Sequence, residues 1–388
     1  MTLITRRSAL KSFGAATTLA ALGAPSILRA QDTIKLGFLS GLTGLETILG
    51  ETQLHSFELA VAELNAANGI GGRQISYLVE DDQTTTRGAI EKARKLVYDD
   101  QVAATFGLIA SLTHVAARSV TTPANHLVFY TTYYEGGVCE APFFSTGQVP
   151  NQQIVPTLGW LSQNVGKSVY VIGSDYVWPR ASTEVIKTEI EKLGGTMLGA
   201  EFAPFGTQDF APILDRVRAA NPDFVWLMVA GSDLITCLKQ YQSFGFTQQL
   251  VSNGLDELFS FSHPELTAGT ISNQAYFMGL DTPQNTAFKA AFAAKWGADK
   301  PINAIGEAAY NAVHLYARAV EAAGATETEA VIAALRTVEF DAPQGRVNFA
   351  ANNCLRANSI LARGTANGQW ETIQNFGQID PDVPGCML

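Results

Sequence analysis

Between Thr33 and Met228 the sequence alternates apolar runs of strand length with stretches of helical period, and it does so twice in succession. In the first unit, predicted strands at Thr33 to Ser40, Gln74 to Glu80, Val102 to Phe106 and Leu127 to Tyr130 are separated by helices. One of these carries Leu54, Phe57, Val61 and Leu64 at spacings of three and four, a single helical face, and Asn68-Gly69 stops it. After a loop rich in aromatics, glycine and proline (131–150), the alternation restarts. It runs through helix Gln152 to Asn164, strand Ser168 to Ile172, helix Pro179 to Leu193, strand Thr196 to Phe202, helix Phe210 to Ala219 and strand Asp223 to Met228. Strands joined by helices pair in parallel and are covered on both faces. The expected fold class is therefore α/β, with two Rossmann-like lobes built on parallel-sheet cores. Further helices near Thr286 to Trp296, Asn303 to Ala323 and Thr328 to Leu335 precede strands near Arg346 to Phe349 and Asn358 to Arg363. A chain ending this way crosses back between lobes. The expected division is 31–146 with 280–338 for the N-terminal lobe, and 147–279 with 339–388 for the C-terminal lobe.

In open α/β sheets, ligands bind in the crevice beyond the carboxyl ends of the strands. Val171 to Arg180 ends one such strand with a turn carrying Tyr176 and Trp178, followed by a helix expected to take Pro179 as its first residue. Local packing of the two rings is the plainer alternative.

The chemistry excluded is as informative. A formal net charge of −10 gives no general attraction to nucleic acid. No G-x-S-x-G elbow occurs, and the five histidines form no H-x-x-x-H pair, so neither an enzyme nor a metal or other cofactor site is expected. The pairs Asp81-Asp82 and Asp99-Asp100 are expected at element ends facing water. Gly166-Lys167-Ser168 lacks the earlier glycine of a phosphate loop and precedes a strand, so it is a turn.

Residues 1–30 carry Arg6, Arg7, Lys11 and Arg29, an apolar small-residue run from Gly14 to Ala24, and Ala30. The paired arginines resemble a twin-arginine export signal, implying cleavage near Ala30 and a periplasmic protein without stable membrane insertion. Cys139, Cys237, Cys354 and Cys386 show no metal-ligand spacing. In an oxidising compartment Cys354 with Cys386 is the expected disulfide, and buried free thiols are the alternative.

Asn65 to Ile75 (NAANGIGGRQI) resembles the turn between first helix and second strand in the type 1 periplasmic binding-protein family, the solute receptors of ABC importers. Tyr134-Glu135-Gly136, Pro150 to Gln153, Gly173 to Tyr176 with Pro179-Arg180, and Phe340 to Gly345 resemble the short-chain amide and urea branch of it. The resemblance implies the type 1 fold with a ligand cleft between lobes, a small-molecule ligand, no cofactor and a membrane permease as partner. Carried over by position, it implies ligand contacts from Ser111, Tyr130 and Thr132 in the first lobe and from Tyr176 and Trp178 in the second. Ile109 and Tyr134 are further candidates. Hydroxyls and ring faces suit a neutral planar amide or urea. An amino-acid ligand, branched-chain or other, is the alternative. It needs an acid for the ammonium, for which Asp256 or Glu257 is the candidate, against the plainer reading of both as exposed helix-start acids. A cytoplasmic amide-sensing regulator is a further alternative, which the export segment opposes.

Overall fold

The computed structural model describes residues 33–384, 386 and 388; the export segment and its cleavage point lie outside the described residues. The first lobe carries a parallel five-stranded sheet made of β1 (Ile34–Ser40), β2 (Ile75–Asp81), β3 (Ala104–Gly107), β4 (Val128–Tyr130) and β5 (Phe143–Ser145), in the order β2-β1-β3-β4-β5. Three helices alternate with these strands: α1 (Thr47–Ala66), α2 (Thr86–Arg94) and α3 (Ser111–Thr121).

Phe57 and Val61 of α1 are buried in the lobe's main core, with Leu54 and Leu64 packed against it, as the helical spacing predicts. The stop after α1 is steric. Gly69 has φ of 74°, and a Cβ there would lie 2.0 Å from the Arg73 carbonyl oxygen.

In the second lobe, α4 (Pro150–Asn164), β6 (Ser168–Ser174), α5 (Val177–Lys192), β7 (Thr196–Ala203), α6 (Ala211–Ala220), β8 (Phe224–Met228), α7 (Asp233–Ser243) and β9 (Gln249–Ser252) follow the expected alternation. Two short helices, α8 (Glu257–Ser262) and α9 (Pro264–Thr267), lead to β10 (Ile271–Gln274). The chain then returns to the first lobe with α10 (Pro283–Trp296), α11 (Ala304–Ala323) and α12 (Thr328–Leu335), whose apolar faces close the core over α1.

The hairpin of β11 (Glu339–Ala342) and β12 (Gly345–Asn348) corrects the expected boundary at 339. Phe340, Ala342, Val347, Phe349 and Leu355 are buried in the first lobe's core rather than in the second. Of this last stretch only β13 (Ala357–Gly364) and β14 (Trp370–Ile379) join the second sheet, as an antiparallel pair with β14 at its edge, in the order β14-β13-β10-β9-β8-β6-β7. The lobes are thus linked through 146–149, 275–282 and 349–356.

The disulfide differs from the expected one. Cys139 pairs with Cys386, 247 residues apart, while Cys237 and Cys354 are buried free thiols. Cys354 is seated in the first lobe by a strand bridge to Ser145, with its Sγ near the Tyr134 hydroxyl. Reduction of the disulfide, or Cys386→Ser, is expected to lower unfolding free energy by about 2–4 kcal/mol, because the cross-link closes a long loop in the unfolded chain. Urea unfolding with and without reductant measures this, and coincident midpoints would contradict it.

Candidate functional site

In both sheets the order in which the chain fills its strands reverses at a switch point, and loops leaving the two switch points line one cavity. In the first lobe it lies between β1 and β3, which pair with Leu39 opposite Gly107. In the second it lies between β6 and β8, with Gly173 opposite Met228. The loops leaving these four strands line a shared cavity between the lobes. Ile109, Ser111, Tyr130, Thr132, Tyr176 and Trp178 all line it. Six residues far apart in sequence, singled out as ligand candidates, are therefore brought together in one place.

The first-lobe wall is fixed from behind. The Asp81 carboxylate accepts from the backbone N–H groups of Leu42 and Thr43 at 2.9 and 3.2 Å and from the Thr43 hydroxyl at 2.6 Å, which shapes the turn after β1. Asp82, expected to face water, is instead 1% exposed, and burial raises its carboxyl to about 6. Fully buried Gln53 donates to the Thr131 hydroxyl at 2.6 Å and to the Leu108 carbonyl at 3.1 Å, tying α1 to the ends of β3 and β4.

Three candidate hydroxyls are already donating. Tyr130 donates to the Ile109 carbonyl, Thr132 to the Leu108 carbonyl at 2.9 Å, and Ser111 to the Glu135 carboxylate at 2.7 Å. Lone pairs remain on Ser111 and Tyr130, while the Thr132 oxygen also accepts from Gln53 at 3.4 Å. The backbone N–H groups of Ser111 and Leu112, first in α3, precede the helix's own bonds, which begin with Thr113 and His114 donating to Ala110.

The second-lobe wall is aromatic. Trp178 lies 5.3 Å from Tyr133 and 6.3 Å from Tyr176, centroid to centroid, and Tyr176 lies 5.3 Å from Phe205. Pro179 is the third residue of α5, not the first, so Trp178 projects from the helix's first turn rather than from the loop before it. Asp175 sits outside the wall, paired with Arg180 at 2.6 Å.

Other expectations fail. Tyr134 packs away from the cavity, with its hydroxyl 3.6 Å from Cys354 Sγ. Asp256 and Glu257 are buried rather than exposed, and neither lines the cavity. Asp256 caps α8 by accepting from Leu258 N–H at 3.0 Å and also accepts from Asn303 at 2.8 Å, which itself caps α11 of the other lobe. Glu257 accepts from Met278 N–H at 2.6 Å. Each carboxyl thus accepts from a backbone N–H, and Glu257 Oε2, which has no partner among the described residues, lies outside the cavity.

The acid that does reach the cavity is Glu46, which sequence reasoning missed. It precedes α1, is 2% exposed, and its Oε2 has no hydrogen-bond partner among the described residues. Burial first, then Asp233 and Asp82, raise its carboxyl to about 7. The signal for it was the glycine-rich turn after the first strand, which the crevice rule places at the cleft. The same rule covers Val229, Ala230 and Gly231 after β8, also in the lining. Leu49, Leu234 and Phe259 complete an apolar side, and no lysine, arginine or histidine contributes. Among the described residues no cluster of potential metal ligands occurs.

A cavity walled by two lobes at their switch points is the arrangement of a capture protein, and the model of the periplasmic binding protein family matches residues 33–369. The chain belongs to that family. Its fold is that of the solute-binding receptors of ABC importers, which bind and do not catalyse. Among the described residues no helix is long and apolar enough to cross a membrane.

A Pseudomonas aeruginosa leucine-, isoleucine-, valine-, threonine- and alanine-binding protein is 24% identical over 350 residues, covering 85% of this chain and 89% of that one. Leu/Ile/Val-binding protein homolog 7 of Brucella abortus is 27% identical over 250 residues, 60% of each chain. Among solved structures, an R. palustris ABC-transporter solute-binding protein in complex with benzoate superposes with a TM-score of 0.84 at 20% identity, covering 92% of this chain and all of that one. The substrate-binding protein LivJ of Streptococcus pneumoniae, in complex with isoleucine, gives 0.79 at 21%, covering 88% and 99%. These sequence relatives carry amino-acid names, not the amide or urea names of the branch expected from the motifs.

Proposed function

We propose that this receptor captures a small aliphatic amino acid between its lobes and presents the closed form to a membrane permease. The observation that carries the reading is Glu46, a buried carboxylate with an unpartnered oxygen in a cavity that holds no basic side chain. A buried charge without a partner is costly, and a ligand ammonium supplies one. The carboxylate of the same ligand meets the free N–H groups of Ser111 and Leu112 at the positive end of α3. Leu49, Ile109, Leu234 and Phe259 receive an aliphatic side chain, while Tyr133, Tyr176 and Trp178 cover the ammonium with ring faces. The amino-acid names of the relatives agree.

A short amide or urea is the second reading, and the spent hydroxyl protons of Ser111, Tyr130 and Thr132 favour it. Their oxygens accept, which suits an N–H-rich neutral ligand.

Thermal unfolding of the mature protein with aliphatic amino acids, short amides, urea and benzoates separates these readings. A ligand at about 100 times its dissociation constant adds roughly 2.7 kcal/mol of stability. Stabilisation by amino acids alone is expected. A response to amides or urea with none to amino acids would transfer the assignment to the second reading.

A further inference from the structure

Glu135 touches the cavity only through Ser111. It lies in the segment after β4, and one carboxylate oxygen accepts the Ser111 hydroxyl proton at 2.7 Å while the other stands 3.6 Å from His114 Nε2. Ser111 and His114 are 2% and 1% exposed and the Glu135 side chain between them 10%, so the chain of groups is largely shielded from bulk water.

A carboxylate accepts hydrogen bonds and donates none, so the proton between Ser111 and Glu135 belongs to the serine. Burial raises the Glu135 carboxyl, but His114 and Ser111 outweigh it and hold the group below the ordinary carboxylate range. With its proton committed backwards, Ser111 offers the cavity only lone pairs. A ligand N–H placed there gains a hydrogen bond. A ligand carboxylate placed there meets an oxygen that cannot donate, with a second carboxylate behind it.

We infer that Glu135 is a positioning residue that fixes Ser111 as an acceptor and thereby sets how the site discriminates a ligand N–H from a ligand carboxylate. This rests on the reading that the cavity between the lobes is where the solute binds. Amino-acid carboxylates are then left to the backbone N–H groups of α3, and the Ser111 hydroxyl tilts the site toward amide over acid at the same carbon.

Glu135→Met tests this, since methionine fills similar space and its thioether is only a weak, uncharged acceptor. Freed, the Ser111 hydroxyl turns toward the ligand and donates to a carboxylate. Calorimetric titration with leucine and leucinamide, and with alanine and alaninamide, reads the ratio of acid to amide affinity. The expected result is a shift of about tenfold toward the acid, the size of one hydrogen bond to a charged group.

The same substitution in a Ser111→Ala background is expected to leave the ratio within about twofold, because the effect travels through that hydroxyl. An unchanged ratio in Glu135→Met overturns the inference. So does an equal shift in the Ser111→Ala background, which would assign the effect to the removed charge and leave the proposed function standing. Binding of none of the four probes to the wild-type protein overturns the proposed function and this inference together. Glu135→Gln, with unfolding monitored for every variant, separates loss of the acceptor from loss of fold: an amide oxygen still accepts from Ser111, so its ratio is expected near wild type, and a full shift there also overturns the inference.

Discussion

Gly231→Val is expected to abolish ligand capture while both lobes remain folded. Gly231 follows β8 with φ of 52°, and a Cβ at this position would stand 2.3 Å from the Leu45 carbonyl oxygen and 2.9 Å from its Cγ. Gly231 belongs to the second lobe and Leu45 to the first, so the contact exists only when the lobes are together. A larger side chain holds them apart, and a ligand whose contacts are divided between lobes keeps only half of them. Affinity is expected to fall by more than about a hundredfold, the effect of losing several hydrogen bonds at once.

Left-handed backbone strain alone costs roughly 1–2 kcal/mol and needs its own control. Gly245→Val provides it, with φ of 68° and nothing within 4 Å of the added Cβ. That variant should lose some stability and keep its ligand. Wild-type affinity in Gly231→Val, measured by titration calorimetry, would mean that the lobes do not need this approach.

Glu46→Gln has the second large effect, in two directions. Affinity for an ammonium ligand is expected to drop roughly a hundredfold, as when one member of a buried charged pair is truncated. The empty protein should gain stability near neutral pH. Its carboxyl is raised from 4.5 to about 7, so the folded state holds a proton that the unfolded chain has released over that interval. Stability from this group is fully present below pH 4.5 and is lost as pH rises through 7, by on the order of 3 kcal/mol.

Asp82, raised to about 6, and Asp256 and Glu307, each raised to about 7, contribute slopes of the same sign, and Glu46→Gln removes one share. Ligand binding runs the other way. An ammonium prefers the ionised carboxylate, so wild-type affinity should rise with pH up to about 7 and the variant should be flat. A pH-independent wild-type affinity for amino acids would remove Glu46 from the ammonium site.

The alternation of strands and helices was legible because parallel strands buried on both faces are apolar throughout, as in Val171-Ile172 or Phe224 to Met228. Strand β10 was not. Its Ser272, Asn273 and Gln274 are fully buried yet polar, with Ser272 bonded to the Leu255 carbonyl and Asn273 to Ser359, and hydropathy cannot flag such a strand. Strand β5 is three residues long, too short for any period.

Residues that line the cavity were legible where they follow a strand in a recognisable motif, as Tyr176 and Ser111 do. Glu46 was hidden because an acid after a glycine-rich turn reads as solvated, and only burial by the opposite lobe makes it a charge in search of a partner. Asp256 and Glu257 show the reverse: acids chosen for a ligand role are consumed by helix ends and backbone N–H groups. Cysteine pairing was opaque for a different reason. Proximity in sequence favoured Cys354, whereas the chain's last residues run back to Cys139.

That return path makes the tail a leash. Strand β14 ends in the second sheet at Ile379, while Val383 is buried in the first lobe and Cys386 is bonded to Cys139 there. Seven residues span about 25 Å at full stretch, so the oxidised protein has a hard stop on how wide the jaws swing. The three ordinary crossings set where the molecule bends; this fourth, covalent one sets how far, and it exists only where thiols are oxidised.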